Sequence, residues 1–470
     1  MANDKSGLTP RAVDFPRWYQ EVVAGAEMAE NGPVRGTMVI RPWGFGIWEL
    51  LQAELDRRIK SAGAENAYVP LFIPESFLKL EASHVEGFSP ELAVVTHGGG
   101  KQLEEPIVVR PTSETVVNYF FAKWIQSHRD LPLLINQWSN VVRWEMRTRL
   151  FLRTSEFLWQ EGHTAHATEQ EATDYALRIL RDAYHSTMEE VMAVPTLVGH
   201  KTDRERFAGA VRTWTCEAMM GDGKALQLGT SHELGENFAR AFNIQYSDDT
   251  GEQRYVFQTS WGASTRLIGG LIMVHGDDFG LRLPPALSPV HVVVMVVRPD
   301  ESTVRASRAI VEELRGNGLR VRLDEQTDTG FGRRAIGWER KGVPVRIEVG
   351  PRDLTEGKAV LVLRHDRSKT DVPLATLKDR VTEALEFTAT ALFQDALAFR
   401  EERTTRVERL EEAVEVGSEG FAVLPWSAVG DAGEERLGQA GITVRCLQRA
   451  DGSLAQTEGE DLVAVVGKSY

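Results

Sequence analysis

The segment from Leu133 to His166 constrains the fold more than any other part of the chain. It is rich in aromatic and β-branched residues with short polar interruptions, a pattern that predicts two or more antiparallel strands joined by a loop near Arg147 to Leu150. Side chains two positions apart on a strand share a face. One predicted face therefore carries seven charged or aromatic side chains: Arg143, Glu145, Arg153, Phe157, Trp159, Glu161 and His163.

This polar face has two interpretations. An isolated strand with such alternation usually turns its polar face to water. Here apolar residues occupy both faces of the neighbouring segments, which favours a lined cavity. We therefore predict a ligand site on an antiparallel sheet.

The chain length and a proline-rich connector predict three domains. A chain of 470 residues is too long for one core. Pro284, Pro285 and Pro289 form a stiff connector, after which strands and helices alternate, as is typical of a small α/β domain with a mostly parallel sheet. A charged helix near Arg400 to Glu415 precedes a third unit. The predicted domains are residues 1–286, 287–388 and 389–470.

Composition excludes several classes of protein. The 42% apolar and 26% charged fractions are typical of soluble globular proteins, and no apolar run approaches the length of a membrane span. No secretory pattern opens the sequence, so we expect a cytoplasmic protein with no membrane partner. The net charge of −14 argues against non-specific coating of nucleic acid. Cys216 and Cys446 lack paired spacing and are predicted to be buried structural thiols.

Two segments resemble motifs of class II aminoacyl-tRNA synthetases. The order Arg-x-Glu, loop, Arg-x-x-x-Phe-x-x-x-Glu from Arg143 to Glu161 resembles motif 2, and TSWGASTRLIGGLI, which contains Arg266, is similar to motif 3. Motif 1 would be the amphipathic helix from Gly44 to Gly63 with the strand NAYVP and Pro70, which helps to build the dimer interface in that class. A core helix and strand explain that last pattern equally well.

The resemblance becomes more specific within class II. The segments RPTSE, VVRWE, FLWQEGHTAH, LGTSHELGENF, HGDDFGLRLPP and GWERKGVPVRIEVGPRDL resemble prolyl-tRNA synthetases of the archaeal and eukaryotic-like branch. This implies an α+β catalytic domain with an antiparallel sheet flanked by helices, then an α/β anticodon-binding domain and a small α+β C-terminal domain. It also implies a homodimer that activates L-proline with ATP and Mg²⁺ to prolyl-adenylate and transfers the prolyl group to the 3′ end of tRNA(Pro).

The resemblance assigns roles to individual residues. Proline would be bound by Thr112, Glu114, Arg143, Trp159, Glu161, His163 and His232. ATP would be bound by Arg143, Glu145, Arg153, Thr154, Phe157, Gln227, Thr230 and Arg266, with the magnesium ion near Gln227. Arg143 and Arg266 would be catalytic, and Glu339 and Arg346 would contact the anticodon guanines. Attack of a carboxylate on a phosphate brings two anions together, so a planar guanidinium that touches both reactants suits this chemistry.

Each assignment has a structural alternative. Thr112 and Ser113 resemble a helix N-cap, with Glu114 in the first turn. His163 and His232 taken alone would be structural histidines, and Arg266 alone would be a capping, solvated residue. Arg346 could simply pair with Glu348 on the same strand face.

Two departures from the family pattern shape the remaining expectations. About 100 residues separate His163 from Arg266, which leaves no room for the large editing insertion of bacterial-type relatives. Relatives of this branch often bind zinc through four C-terminal cysteines, whereas only Cys446 is present here, so we expect no structural zinc. Two other functions stay open: a proline-adenylating paralogue with a non-tRNA acceptor, and a non-catalytic RNA-binding regulator.

Overall fold

The computed structural model describes residues 7–78, 92–326, 328–455 and 461–470. The strands are β1 (Ala29–Asn31), β2 (Met38–Ile40), β3 (Glu65–Asn66), β4 (Phe72–Pro74), β5 (Ala93–Gly98), β6 (Lys101–Val109), β7 (Leu133–Val142), β8 (Glu156–His166), β9 (Thr196–His200), β10 (Arg212–Met219), β11 (Ala225–Gly235), β12 (Gln245–Ser247), β13 (Gln253–Tyr255), β14 (Phe257–Ser264), β15 (Val292–Val296), β16 (Val321–Asp324), β17 (Val345–Val349), β18 (Lys358–Leu363), β19 (Lys369–Pro373), β20 (Thr404–Arg406), β21 (Phe421–Pro425), β22 (Thr443–Arg449) and β23 (Leu462–Gly467).

The α-helices are α1 (Phe15–Gly25), α2 (Pro42–Ser61), α3 (Glu75–Leu78), α4 (Glu114–Trp124), α5 (Glu169–Arg178), α6 (Asn237–Phe242), α7 (Arg266–His275), α8 (Glu301–Gly316), α9 (Phe331–Arg340), α10 (Pro351–Thr355), α11 (Leu377–Glu402), α12 (Leu410–Gly417) and α13 (Trp426–Gln439). Helix α5 continues as π-helical turns at Ile179–His185 and Thr187–Val191, and single 3-10 turns lie at His128–Asp130, Pro285–Leu287 and Leu374–Thr376. In the described part of the chain, none of the helices has the length and apolarity required to cross a bilayer.

An 11-stranded sheet in the order β20-β21-β23-β22-β9-β10-β11-β14-β8-β7-β3 forms the centre of the molecule. The predicted pair of antiparallel strands is confirmed: β7 pairs with β8, and Gln137 lies opposite Glu161. Arg143, Glu145 and Arg153, however, lie beyond the strand ends. The ladder stops there because the backbone N–H of Ser155 donates to Gly36 rather than across the hairpin.

Two tryptophans pack over two glycines where β8 meets β14. Trp261 lies opposite Gly162, and Gly262 lies opposite Glu161. A Cβ atom at Gly162 would overlap the ring of Trp261, and one at Gly262 would overlap the ring of Trp159. The two glycines therefore let one indole lie flat on each side of the sheet, and the Trp159 side is the predicted polar face.

The predicted amphipathic helix near the start of the chain is confirmed as α2. Its inner face buries Ile47, Leu51 and Ile59, and the glycine predicted to end it, Gly63, follows with φ of 96°. Strand β3 lies at the edge of the large sheet beside β7, as expected for a segment that continues to Pro70. The strand itself is shorter than predicted, because regular pairing covers Glu65 and Asn66 alone.

The second domain is a five-stranded sheet, but it is not mostly parallel. Strand β15 pairs in parallel with β16 and β17, whereas β17-β18 and β18-β19 are antiparallel. The prediction was wrong because the connections are short. Residues 350–357 and 364–368 link these last strands, and a parallel crossover needs a dozen residues or more. Helices α8 and α11 cover a core that includes Val294, Ile310 and Ile347.

The C-terminal unit extends the large sheet instead of forming a separate one. Strand β22 joins β9 through Leu447 and His200. The single charged helix predicted near Arg400 to Glu415 is also wrong: α11 ends at Glu402, β20 pairs with β21, and α12 follows.

A buried ionic cluster holds this junction together. Both oxygens of Glu217, which is completely buried, accept hydrogen bonds: Oε1 from Lys201 Nζ at 2.7 Å and Oε2 from Arg445 at 2.8 and 3.0 Å. Thr215 donates to the same carboxylate at 2.9 Å. Burial alone would raise the pKa of Glu217, but Arg445 and Lys201 outweigh it and lower the pKa. Since Arg445 belongs to β22, the cluster links the C-terminal strands to β10.

Glu217→Leu should destabilise the protein strongly, because it leaves two buried cations without their anion. We expect a loss of about 3–5 kcal/mol in the free energy of unfolding, measured by urea denaturation. Glu411→Leu removes an exposed pair with Arg436 and should cost about 1 kcal/mol or less. Equal costs for the two variants would contradict this account.

Candidate active site

A cavity of about 280 Å³ opens on the predicted polar face of the sheet. Strands β8, β11 and β14 form its floor. The residues predicted from the sequence that line it are Thr112, Glu114, Arg143, Phe157, Trp159, Glu161, Gln227, Thr230, His232 and Arg266. The structure thus brings together side chains that are up to 154 positions apart in the sequence, counted from Thr112 to Arg266.

A second cavity of about 220 Å³ adjoins the first. It is lined by the remaining predicted nucleotide residues, Glu145, Arg153 and Thr154, and by Arg143, Phe157, Ser264 and Arg266, which line both cavities. Arg143 and Arg266 therefore mark the seam where ligands in the two cavities would meet.

Glu161 is the centre of a buried hydrogen-bond cluster. Its Oε1 accepts from Ser113 Oγ at 2.5 Å and from Gln137 Nε2 at 3.0 Å, and its Oε2 accepts from the Ser113 backbone N–H at 3.0 Å. Oε2 also lies 3.2 Å from Thr112 Oγ1 and 3.3 Å from His163 Nε2. Burial alone would raise the pKa of Glu161, but the hydrogen bonds from His163 and Ser113 outweigh it and lower the pKa to about 2.

The capping alternative for Thr112 and Ser113 does not match these contacts. Ser113 occupies the N-cap position of α4 but makes no side-chain capping hydrogen bond. Its hydroxyl donates to Glu161 instead, and Thr112 Oγ1 donates to Glu114. The start of α4 is therefore tied to the cavity floor.

The pKa values of the two predicted histidines are shifted in opposite directions. His163 does not line the cavity but lies beneath it, where hydrogen bonding to Glu161 and the charge of Glu114 outweigh burial and raise its pKa. Burial, with Arg143 and His163 nearby, lowers the pKa of His232 to about 3. Neutral His232 stacks on Phe207 with ring centroids 4.5 Å apart, and its Nδ1 lies 2.9 Å from Thr213 Oγ1.

Three guanidinium groups converge at the seam between the cavities. Arg143 donates from Nε to the Pro111 carbonyl at 2.9 Å and lies over the Trp159 ring, 5.2 Å from its centroid. Arg266 is the first residue of α7, and burial together with the charges of Arg153 and Arg143 lowers its pKa to about 10. Arg266 therefore stays charged at neutral pH. Such a cluster suits a strongly anionic ligand.

Several lining residues escaped the sequence analysis. Phe207 and Thr213 belong to a loop and to β10, which carry no recognisable pattern, and Ser260 lies on the small-residue strand β14. The sequence could have predicted Gln137 as a partner of Glu161. It has the same parity as Arg143 along one predicted strand, and it lies opposite Glu161 in the sheet.

The residues predicted to read an anticodon lie together in the second domain. Glu339 and Arg346 line a small depression with Trp338 and Arg364. Arg346 also makes the predicted local pair, with Glu348 at 3.0 Å, and both side chains are largely buried. Glu339 accepts from Arg367 Nε at 2.7 Å. The local pair is therefore real, and it positions Arg346 at the wall of the depression.

Tyr470 packs beside the second cavity. Its hydroxyl donates to Asp222 at 2.6 Å, and its ring, with Arg149, Arg153 and Arg266, lines a further cavity of about 180 Å³. Tyr470 therefore lies next to two of the three guanidinium groups that line the second cavity.

Family models match both domains. The model described as the tRNA synthetase class II core domain (G, H, P, S and T) matches residues 97–275, and the anticodon binding domain model matches residues 291–384. A proline--tRNA ligase from Frankia casuarinae is 59% identical over 465 residues, covering 98% of this chain and 99% of the relative. A chloroplastic/mitochondrial proline--tRNA ligase from Arabidopsis thaliana is 49% identical over 480 residues, covering 98% of this chain and 88% of the relative.

A solved structure has the same fold over nearly the whole chain. It is the prolyl-tRNA synthetase from Cryptosporidium parvum complexed with halofuginone and AMPPNP. The two chains are 36% identical, the TM-score is 0.92, and the match covers 98% of this chain and 99% of the other.

The Glu161 cluster predicts a specific pH dependence of stability. Glu161→Gln deprives its donors of a charged acceptor and should cost about 1–3 kcal/mol in the free energy of unfolding near pH 6. Because the folded pKa lies below the ordinary value of 4.5, the stabilisation is present above that value and is lost as pH falls toward 2. The difference between wild type and variant should therefore shrink between about pH 4.5 and 2.

Urea denaturation across this pH range measures the effect. Glu156→Gln is the matched control, since Glu156 lies on the same strand but is exposed. A difference between wild type and Glu161→Gln that stays constant from pH 6 to about pH 2 would contradict the assignment of a buried, charged carboxylate.

Proposed function

The chain belongs to the proline–tRNA ligases, which are class II aminoacyl-tRNA synthetases, and we propose which of its residues carry each part of the reaction. The enzyme activates proline with ATP and then esterifies proline to tRNA(Pro). The observation that carries the assignment of residues is the position of Arg143, whose side chain lines both cavities.

Proline occupies the larger cavity. Its secondary ammonium group lies toward Thr112, Glu114 and Glu161, because buried carboxylates favour a cation. His232 is neutral, since its pKa is about 3, and does not repel that cation. The rings of Trp159 and Phe207 supply apolar walls for the pyrrolidine ring. His163 acts from beneath the cavity by holding Glu161 in place.

ATP occupies the second cavity. Phe157 lies against the adenine, and the carboxylate of Glu145 accepts a hydrogen bond from the adenine amino group. Glu145 Oε1 also accepts a hydrogen bond from the Arg147 backbone N–H at 2.7 Å, which holds the carboxylate in place. The phosphates lie toward Arg153 and Thr154 and reach the larger cavity at Arg266, where Gln227 and Thr230 also lie. The prolyl-tRNA synthetase from Cryptosporidium parvum is complexed with AMPPNP, an analogue of ATP, and this supports the assignment.

Magnesium fits beside Gln227 and Thr230. These side chains line the larger cavity and offer neutral oxygen atoms, which suit an ion whose other ligands are phosphate oxygens and water. When bound, Mg²⁺ would neutralise part of the phosphate charge. The remaining positive charge at the phosphates comes from Arg153 and Arg266.

The first step needs positioning more than proton transfer. A carboxylate oxygen of proline attacks the α-phosphorus of ATP, the bond to the β-phosphate oxygen breaks, and pyrophosphate leaves. Arg143 binds the proline carboxylate and the α-phosphate together, which reduces their repulsion and aligns the attack. Proline's carboxylate is already ionised, so no protein base is required. In the second step the terminal ribose hydroxyl of tRNA(Pro) attacks the acyl carbon, and AMP leaves.

The anticodon-binding domain completes the substrate recognition. We propose that Glu339 accepts hydrogen bonds from a guanine Watson–Crick edge and that Arg346 donates to guanine acceptors, since single-stranded loops leave these edges exposed. Both residues line one depression. A non-tRNA acceptor and a purely regulatory role are less well supported, because this domain is present together with all three arginines of the seam.

Other properties are proposed from weaker support. A homodimer would cover exposed aromatic side chains near the motif 1 segment, including Tyr68, Phe72 and Trp124. The C-terminal unit holds no structural zinc, because such sites need four ligands and Cys446 is a buried thiol whose pKa is raised to about 12 by burial. We also propose that the protein is cytoplasmic and that the domain limits are 1–286, 287–388 and 389–470, with α11 (Leu377–Glu402) crossing the last of these limits.

Arg143→Ala should abolish activation without unfolding the protein. Loss of one such contact costs about 100- to 1,000-fold in rate, and we expect at least that loss in proline-dependent ATP–pyrophosphate exchange. Arg143→Lys should restore little, because a point charge cannot contact both anions as a planar fork does. Arg181→Ala, at an exposed position, is the control. Exchange near the wild-type rate in Arg143→Ala would refute the role proposed for this residue.

Arg346→Ala should impair charging but not activation. We expect kcat/KM for charging tRNA(Pro) to fall by a factor that corresponds to a loss of about 1–3 kcal/mol in transition-state stabilisation, the usual value of one specific base contact. Pyrophosphate exchange should stay near normal. Arg322→Ala, exposed on β16 of the same domain, should change neither. Unchanged charging in Arg346→Ala would show that this arginine does not read the anticodon.

A further inference from the structure

The segment that follows α7 connects the two functional sites. Helix α7 begins with Arg266, which lines both cavities, and ends at His275. Asp277 follows two residues later and forms a two-pronged ion pair with Arg364 of the second domain, with Nη1 to Oδ2 at 2.8 Å and Nη2 to Oδ1 at 2.5 Å. One ion pair therefore joins the end of the Arg266 helix to the anticodon-binding domain.

Arg364 is also part of the depression proposed to read the anticodon. Its side chain is only 3% exposed and lines that depression with Glu339 and Arg346. Its Nε donates to the backbone carbonyl of Glu339 at 2.9 Å. The same guanidinium thus contacts the backbone of a proposed base-reading residue and the carboxylate of Asp277.

Hydrogen bonds and close backbone contacts fix the position of the segment around Asp277. Asp277 Oδ1 accepts the Phe279 backbone N–H at 2.9 Å, and its carbonyl accepts from Trp18 Nε1 at 2.8 Å. Leu281 N donates to the Arg340 carbonyl at 2.9 Å, at the end of α9. Gly280 has φ of 129°, and a Cβ atom there would lie 2.6 Å from Arg340 Cα. A shift at the end of α9 is therefore transmitted to the segment that carries Asp277.

We propose that the Arg364–Asp277 ion pair is a positioning contact through which a correct anticodon raises the rate of tRNA charging. The ten residues of α7 span about 15 Å and move as one rigid element. Guanine bound at Glu339 and Arg346 fixes Arg364, Arg364 fixes Asp277, and α7 holds Arg266 in its productive position. This inference rests on the anticodon site proposed above.

A neighbouring contact between the domains supplies a matched control. Asp395 on α11 lies 3.3 Å from Arg282 and 2.9 Å from His365. These side chains also hold the domains together, but none of them lines the depression with Glu339 and Arg346. Loss of Asp395 tests domain docking while both partners of the proposed relay, Arg364 and Asp277, are kept.

The test is a kinetic comparison of Asp277→Asn with wild type. Asn keeps the shape of the side chain and removes its charge. Charging is measured with a tRNA(Pro) transcript and with a transcript whose two anticodon guanines are replaced. We expect kcat for the first transcript to fall about five- to tenfold, a typical size for coupling between sites. The tRNA-free pyrophosphate exchange should stay within about twofold, because without tRNA no guanine occupies the depression that Arg364 lines and the relay is not engaged. The KM for tRNA should also stay within about twofold, because Asp277 does not line that depression.

The decisive observation is non-additivity. In the wild type, replacing the guanines lowers kcat, and in Asp277→Asn the same replacement should cause little further loss. Arg364→Lys, which keeps the cation but loses the two-pronged contact, should behave like Asp277→Asn. Asp395→Asn should leave the ratio between the two transcripts as in the wild type.

Three results would overturn the proposal. First, the factors by which Asp277→Asn and the guanine replacement lower kcat could multiply, and this would show that the two changes act independently. Pyrophosphate exchange and the melting temperature could fall with charging, which shows a purely structural contact. If the wild type charges both transcripts equally, the anticodon assignment itself fails and the relay fails with it, so that this failure is distinguished from the other two.

Discussion

A carboxylate buried at the floor of the cavity keeps its charge only if hydrogen-bond donors surround it, and the site depends on how Glu161 meets this condition. Its donors come from β7, from β8 and from the turn before α4. Because one anion satisfies all three, the helix that carries Glu114 and the strand that carries Trp159 are held in a fixed relation. The walls of the larger cavity follow from that arrangement.

At the seam between the cavities, several positively charged groups lie close together and repel one another. Burial, together with the nearby charges of Arg153 and Arg143, lowers the pKa of Arg266, although the chain as a whole carries a net charge of −14. Repulsion among these groups is relieved when phosphates bind, so the unliganded protein is preorganised for an anion. The negative net charge argues against general attraction to the nucleic-acid backbone as the means of selecting the tRNA.

Local periodicity was enough to predict the polar face, because strand parity fixes which side Trp159, Glu161 and His163 share. It could not place Phe207, which reaches His232 from a loop, nor the pairing of Leu447 with His200, since that contact joins strands far apart in sequence. The parallel sheet was overpredicted although the eight residues from 350 to 357 already argued for an antiparallel return. The roles of Gln227 and Thr230 came from resemblance, as nothing in their local pattern indicates them.

We propose that the larger cavity selects proline, which is then transferred to tRNA(Pro). Purified protein assayed for ATP–pyrophosphate exchange with each of the twenty amino acids, and then for charging of tRNA(Pro), tests this directly. Exchange should be strongest with proline and about 10- to 200-fold weaker with alanine, as expected when a smaller side chain enters an apolar pocket. The product should be stable prolyl-tRNA. Exchange with no preference for proline, or proline-dependent exchange without charging of tRNA(Pro), would contradict it.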